Sequence, residues 1–284
     1  MRIAFSFKKN NGIKSQNKKI NFGAGLTPKM MQEIQKADVL EISNKLAEKG
    51  IPTDFKDNKV IAWCCQKVVS LFTELNNKYN LNLDLPNSII VENFSHLKSQ
   101  NTDMAVCNWF PTNLFKDSDR VTPEKSIVFN NRYNWENING ITDKFFESNY
   151  WGNNHFLYFF THEFCHVAHE GHLSKRMNPT KMQKIINHIL QSKEIAIYQE
   201  KYLKKTAKIC RHALNNPLEA VACDMSRVIA DSLDKNTLMP TKNPFIGTPY
   251  EKLSFWQRVN LPEYSDEERP LKEILRNFWN GKFD

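Results

Sequence analysis

The stretch THEFCHVAHEGH, residues 161–172, places four histidines and two glutamates within twelve residues. Five of the chain's eight histidines lie between His155 and His172. Within it, His162, Glu163 and His166 form an HExxH pattern. On an α-helix, residues four apart sit one turn apart on the same side, roughly 6 Å along the axis. Two imidazoles so placed can both reach one Zn²⁺ at about 2.0–2.1 Å. Glu163 leans to the side where a metal-polarised water would sit and can take that water's proton. The spacing serves metal-assisted hydrolysis of an amide. The ordinary alternative is a wet helix face rich in polar residues.

The flanking sequence argues for a buried position. NNHFLYFFTHEFCHVAHE reads as a helix starting near Asn153 or Asn154, with Phe156, Phe159, Phe160, Phe164 and Val167 on most of its sides. Two histidines and a glutamate on such a helix are costly without a partner. Upstream, LTPKMMQEIQKADVLEISNKLAEKGIP reads as one helix, capped by Thr27, with Pro28 in its first turn and Gly50 and Pro52 at its end. A second helix is expected from about Lys59 to Tyr79, where Ile61, Val68, Leu71, Phe72 and Leu75 recur at helical spacing. SIIVENF, MAVCNWF and SIVFNNRY, starting at Ser88, Met104 and Ser126, read as short strands. Further helices are expected at about 177–210 and 217–233, with a short one in PLKEILRNFWN before Gly281. Helices, then strands, then helices favour an α+β fold, with residues 26–284 as one domain.

Composition limits the function classes. A 284-residue chain with 40% hydrophobic and 25% charged residues can bury a substantial core, and no apolar run reaches the length of a membrane span. The start lacks the apolar segment and cleavage site of a secretory signal, so a cytoplasmic protein is expected; export by a signal-peptide-independent route would read identically. The six cysteines show no CxxC spacing and suggest neither a disulfide framework nor a cysteine zinc site. The net charge of +8 is concentrated in residues 1–20, which carry six basic residues and no acid. That arm, 1–25, reads as a flexible basic tail; contact with nucleic acid is its second reading.

The motif and its setting resemble the zincin metallopeptidases, over roughly residues 60–232. The resemblance implies a small mixed sheet packed on a central HExxH helix. It also implies one zinc per chain, a peptide or protein substrate, two metal ligands in His162 and His166, and Glu163 as general base. It makes SIVFNN, with Ile127, Val128, Phe129 and Asn130, the edge strand that pairs with extended substrate.

Two residues compete to be the third ligand. Asn216-Pro217 is a strong helix start, and Glu219 with Ala222 resembles the NPxExxA signature of gluzincin-like peptidases, in which a later-helix glutamate completes the site. Ala220, Ala222, Cys223 and Ser226 would let two helices approach closely. With Asn216 as N-cap, however, Glu219 also occupies the place of a capping-box carboxylate. The thermolysin-like pattern has an Asp four residues after the Glu, where this chain has Cys223 followed by Asp224. The other reading is His172, since HEFCHVAHEGH resembles SprT-like DNA-associated proteases. A straight helix would carry residue 172 about 15 Å beyond residue 162. His172 therefore requires a break, for which Gly171 is the candidate, and metzincins place Gly where this chain has His169. Glu219 is the favoured ligand. His169, His212 and Tyr250 are candidate oxyanion stabilisers. Cys165 reads as a packed small residue in preference to a nucleophile. A non-catalytic zinc-binding interaction protein is a further alternative.

Overall fold

The computed structural model describes residues 25–95, 103–108, 124–233, 238–240, 243, 254 and 267–283. The basic tail and Tyr250 lie outside the described residues, so neither reading on them is addressed by the fold. Helices α1 (Pro28–Lys36) and α2 (Val39–Ala47) lead to β1 (Thr53–Asp54) and the long α3 (Lys59–Tyr79). Strands β2 (Ser88–Glu92), β3 (Ala105–Asn108) and β4 (Ser126–Asn130) follow, then α4 (Ile138–Glu147) and the HExxH helix α5 (Phe156–Ser174). Helices α6 (Pro179–Ile189), α7 (Ser192–Thr206), α8 (Pro217–Ser232) and α9 (Arg269–Trp279) complete the described elements. The fold is α+β, and none of its described helices is long and apolar enough to cross a membrane.

Local chemistry sets several boundaries differently from the sequence expectation. The first helical stretch is two helices, because Asp38 turns its carboxylate onto the backbone N–H groups of Leu40 and Glu41 and caps a new start. Thr27 caps α1 as expected. The stretch 177–210 likewise divides, with Asn178 capping α6 through Lys181 N. For α5 the cap is His155, whose Nδ1 accepts from Leu157 N at 3.1 Å, in place of Asn153 or Asn154.

The four strands run in the order β1-β2-β4-β3, with β1, β2 and β4 parallel and β3 antiparallel to β4. This corrects the edge-strand assignment. Ile127, Val128, Phe129 and Asn130 belong to β4, which is paired on both sides, so its backbone groups are taken. All five β4 residues are buried, the pattern of a strand covered on both faces. Among the described residues β3 pairs only with β4 and forms that edge of the sheet.

Helix α5 is the centre of the core. Phe160 packs on Phe129 of β4 at 5.3 Å, Phe164 on Phe72 of α3 at 5.6 Å, and Phe156 on Trp63 of α3 at 6.2 Å. On another side it meets α8, where Ala220, Ala222, Cys223 and Ser226 are buried and let the two backbones approach. Gly171 does not end the helix. A Cβ there would stand 2.2 Å from the Asp84 carboxylate, so the glycine leaves room for Asp84 and its ion pairs to Lys125 and Lys175.

The far end of α5 is closed by α9. His169 stacks on Trp279 at 5.1 Å and donates from Nε2 to the Phe278 carbonyl, while His172 Nε2 reaches Asn280 Oδ1 at 3.2 Å. Burial, with His172 nearby, lowers the His169 pKa to about 3; burial lowers that of His172 to about 4. Both rings are thus neutral in the fold, whereas an unfolded histidine titrates near about 6.5. Between those values the unfolded chain binds more protons. Their stabilisation is complete above about pH 6.5 and is lost as the pH falls toward 4. The loss is at most about 1.4 kcal/mol per pH unit for His169, and less for the partly exposed His172. Urea midpoints measured from pH 7 to 5 should fall steeply, and the double substitution His169→Gln/His172→Gln should flatten that slope. An unchanged slope would show that α9 docks independently of these rings.

Candidate metal centre

Two helices bring the site together. His162 and His166 project from successive turns of α5, and Glu219 comes from the first turn of α8. Asn216 caps α8, its Oδ1 accepting from Leu218 N at 2.9 Å and Glu219 N at 3.0 Å, and Pro217 fits the first turn. The Glu219 carboxylate does not fold back as a capping box. It points to the histidines, with Oε2 3.1 Å from His162 Nε2 and Oε1 3.2 Å from His166 Nε2.

The two Nε2 atoms are themselves 3.1 Å apart. A four-coordinate ion with bonds of about 2.0–2.1 Å holds its ligand atoms about 3.3–3.4 Å from one another, so these separations, each histidine facing a different Glu219 oxygen, are close to the required size. His162 Nδ1 and His166 Nδ1 are buried without a hydrogen-bond partner, which leaves each Nε2 as the atom committed to the cluster. Packing in place of hydrogen bonding orients the rings: His162 lies between His166, His212 and Tyr158.

His212 and Cys223 also reach this cluster. His162, His212, Glu219 and Cys223 are all buried, with their ligand atoms within 4.8 Å of one another, and this group could hold a metal ion. His166 is outside that set, yet it stands 3.1 Å from His162 Nε2 and 3.2 Å from Glu219 Oε1, so two overlapping ligand groups share His162 and Glu219. Asn215 Nδ2 donates to His212 Nδ1, which directs the His212 Nε2–H onto Glu219 Oε2 at 2.8 Å. His212 therefore holds the carboxylate in place.

Charge in the cluster is tightly linked. Burial opposes ionisation of Glu219, but His166 and His212 outweigh it and keep the carboxyl well below its usual range. Burial lowers His162 to about 4, despite its hydrogen bond to Glu219; His166 and His212 are raised by Glu219 against burial. Burial pushes the buried Glu163 up to about 7, with His166 pulling the other way. Burial also raises the thiols of Cys223 and Cys165, and Cys165 is a fully buried packing residue of α5.

The structure brings together His162, Glu163, His166 and Glu219 and leaves His172 out. Because α5 continues to Ser174, His172 lies on the α9 side, bonded to Asn280. His169 is turned to α9 as well and does not stand beside the cluster. The sequence offers His212 only as an oxyanion candidate, and Cys223 only as a small residue standing where the thermolysin-like pattern has Asp. Cys223 lies four residues after Glu219, one helical turn, and that spacing was the available signal. No protein-family model, curated protein or solved structure matches the chain.

Proposed function

We propose that the protein is a zinc-dependent peptidase of the zincin type, with His162, His166 and Glu219 as metal ligands and Glu163 as general base. The observation that carries this reading is the convergence of two Nε2 atoms and a carboxylate at 3.1–3.2 Å, with a buried glutamate next to the first histidine. A bound zinc ion would supply Lewis acidity at the scissile carbonyl and ease ionisation of a water. The chain's residues supply the rest. Glu163 takes the proton of the attacking water and returns it to the leaving nitrogen. His212 fixes the Glu219 carboxylate. The edge strand β3 offers backbone groups to an extended peptide.

A second reading has its own observation. If His162, His212, Glu219 and Cys223 hold the ion, its four-coordinate shell is closed, as in structural sites. Metal analysis and cobalt substitution separate the two. The peptidase reading expects about one zinc per chain, with affinity falling by more than roughly 100-fold in His162→Ala, His166→Ala and Glu219→Ala. Cys223→Ala should keep the metal, and the cobalt form should lack a sulfur-to-metal charge-transfer band. Full zinc in Glu219→Ala would overturn the ligand set; the band, lost in Cys223→Ala, would establish the closed site.

A further inference from the structure

Glu170 is a buried carboxyl that the metal cluster does not use. It lies seven residues after Glu163 on α5, two turns further along the same face. Only about one hundredth of it is exposed, and neither of its oxygens has a hydrogen-bond partner. The face is the one against β3. On that strand Val106 joins the small apolar cluster on the far side of the sheet, while Cys107 packs in the main core with α5. Burial raises the Cys107 thiol, and Glu170, Glu163 and Glu219 raise it further. Glu170 and Glu163 thus lie on the side of α5 turned to the Cys107 position of β3.

Among the described residues no cation pairs directly with Glu170. Lys125 acts on it, but its ammonium is bound to Asp84 Oδ2 at 2.8 Å; Lys175 takes the other Asp84 oxygen at 2.5 Å. Glu124 and Asp84 add negative charge. Burial, eased by Lys125, raises the Glu170 pKa to about 9, so the group carries a proton at neutral pH. An unsatisfied buried acid is destabilising, and such groups concentrate where a ligand completes them. Asp84 and Lys125, whose charges act on Glu170, are themselves partly exposed.

We propose that Glu170 is a specificity-determining residue that receives a lysine or arginine side chain of a peptide lying along β3. This rests on the peptidase reading above for the direction of the bound chain. Seven helical residues rise about 10.5 Å, which an extended peptide covers in about three residues. The basic residue is thus placed about three positions from the bond that Glu163 serves. On binding, the Glu170 proton leaves to solvent, and the carboxylate pairs with the incoming cation.

The test uses the full-length, zinc-loaded Glu163→Gln protein and fluorescent acetylated hexapeptides carrying lysine or norleucine at each position in turn. Anisotropy should show lysine favoured by roughly tenfold or more at one position. The same position should stand about three residues from the bond cut by the wild type. Adding Glu170→Gln should erase the preference and leave the norleucine peptides' affinity unchanged. A second measurement needs no substitution at Glu170: calorimetry in two buffers at pH 7 should show about one proton released with the lysine peptide and none with its norleucine partner.

Equal affinity for the two peptide series, a preference that survives Glu170→Gln, or no proton release overturns the proposal. Cleavage by the wild type with no basic preference leaves the peptidase reading standing and removes this one. A Glu170-dependent lysine preference in a wild type that cuts nothing does the reverse.

Discussion

Glu163→Gln is expected to retain zinc and to lose hydrolysis by roughly 10²–10⁴-fold. The substitution preserves volume and hydrogen-bonding capacity but removes the ability to accept a proton, and positioned general bases contribute on that order. The side chain is buried beside His162 without belonging to the close His162–His166–Glu219 group, so metal binding should survive. Zinc content and peptide turnover measured on the same preparation check both halves. Turnover within about threefold of wild type would remove Glu163 from the chemistry, since loss of a general base has a far larger effect. Loss of zinc would instead make Glu163 a ligand.

Lys272→Met is expected to destabilise the protein by about 3–5 kcal/mol, or roughly 10 °C in melting temperature. Lys272 is buried in α9, with Nζ 2.6 Å from both oxygens of Asp224, and Arg227 adds a contact of 3.1 Å. The two partners differ in how well the pairing compensates burial. Burial raises the Asp224 pKa, but Lys272 and Arg227 together bring it below its usual value. In Lys272, burial lowers the pKa and Arg227 lowers it further, so Asp224 only partly compensates. Removing the lysine leaves a buried carboxylate with only its partly exposed arginine. Urea denaturation would measure this, and the double substitution Lys272→Met/Asp224→Leu should recover much of the loss. A single-variant cost below about 1 kcal/mol would put the ion pair in the class of surface bridges. Asp224 shares α8 with Glu219, so this contact from α9 also braces the helix that carries Glu219.

Several features were legible because they are local. The α3 limits, the Thr27 cap and the Asn216-Pro217 start follow from neighbouring residues whose side chains meet the backbone within one turn. The pair His162 and His166 is local too, since helical geometry alone puts both rings on one side. Glu219 was within reach because its helix start and its small neighbours Ala220 and Ala222 are visible in the chain. Some local signals were misread: Asp38 is a helix cap inside an otherwise continuous pattern, and His155 caps α5 where two asparagines precede it.

What tertiary structure decided is which distant groups share a space. Strand order is such a case. The composition of SIVFNN marks a strand, but only pairing with both β2 and β3 makes β4 internal and gives β3 the edge. His212 has no motif around it and reaches Glu219 because the turn before α8 folds it back over the site. His172 fits a metal-ligand spacing on paper, but an unbroken α5 carries it to Asn280 on α9 instead. Glu170 differs from any surface glutamate only through its burial against β3. The amino-acid sequence by itself determined the helices, their caps and the HExxH pair, because those depend on residues within a turn or two. The sheet edge, the meeting of Glu219 with the two histidines and the unpaired carboxyl depended on packing between segments far apart in the chain, for which no local spacing encodes the distance.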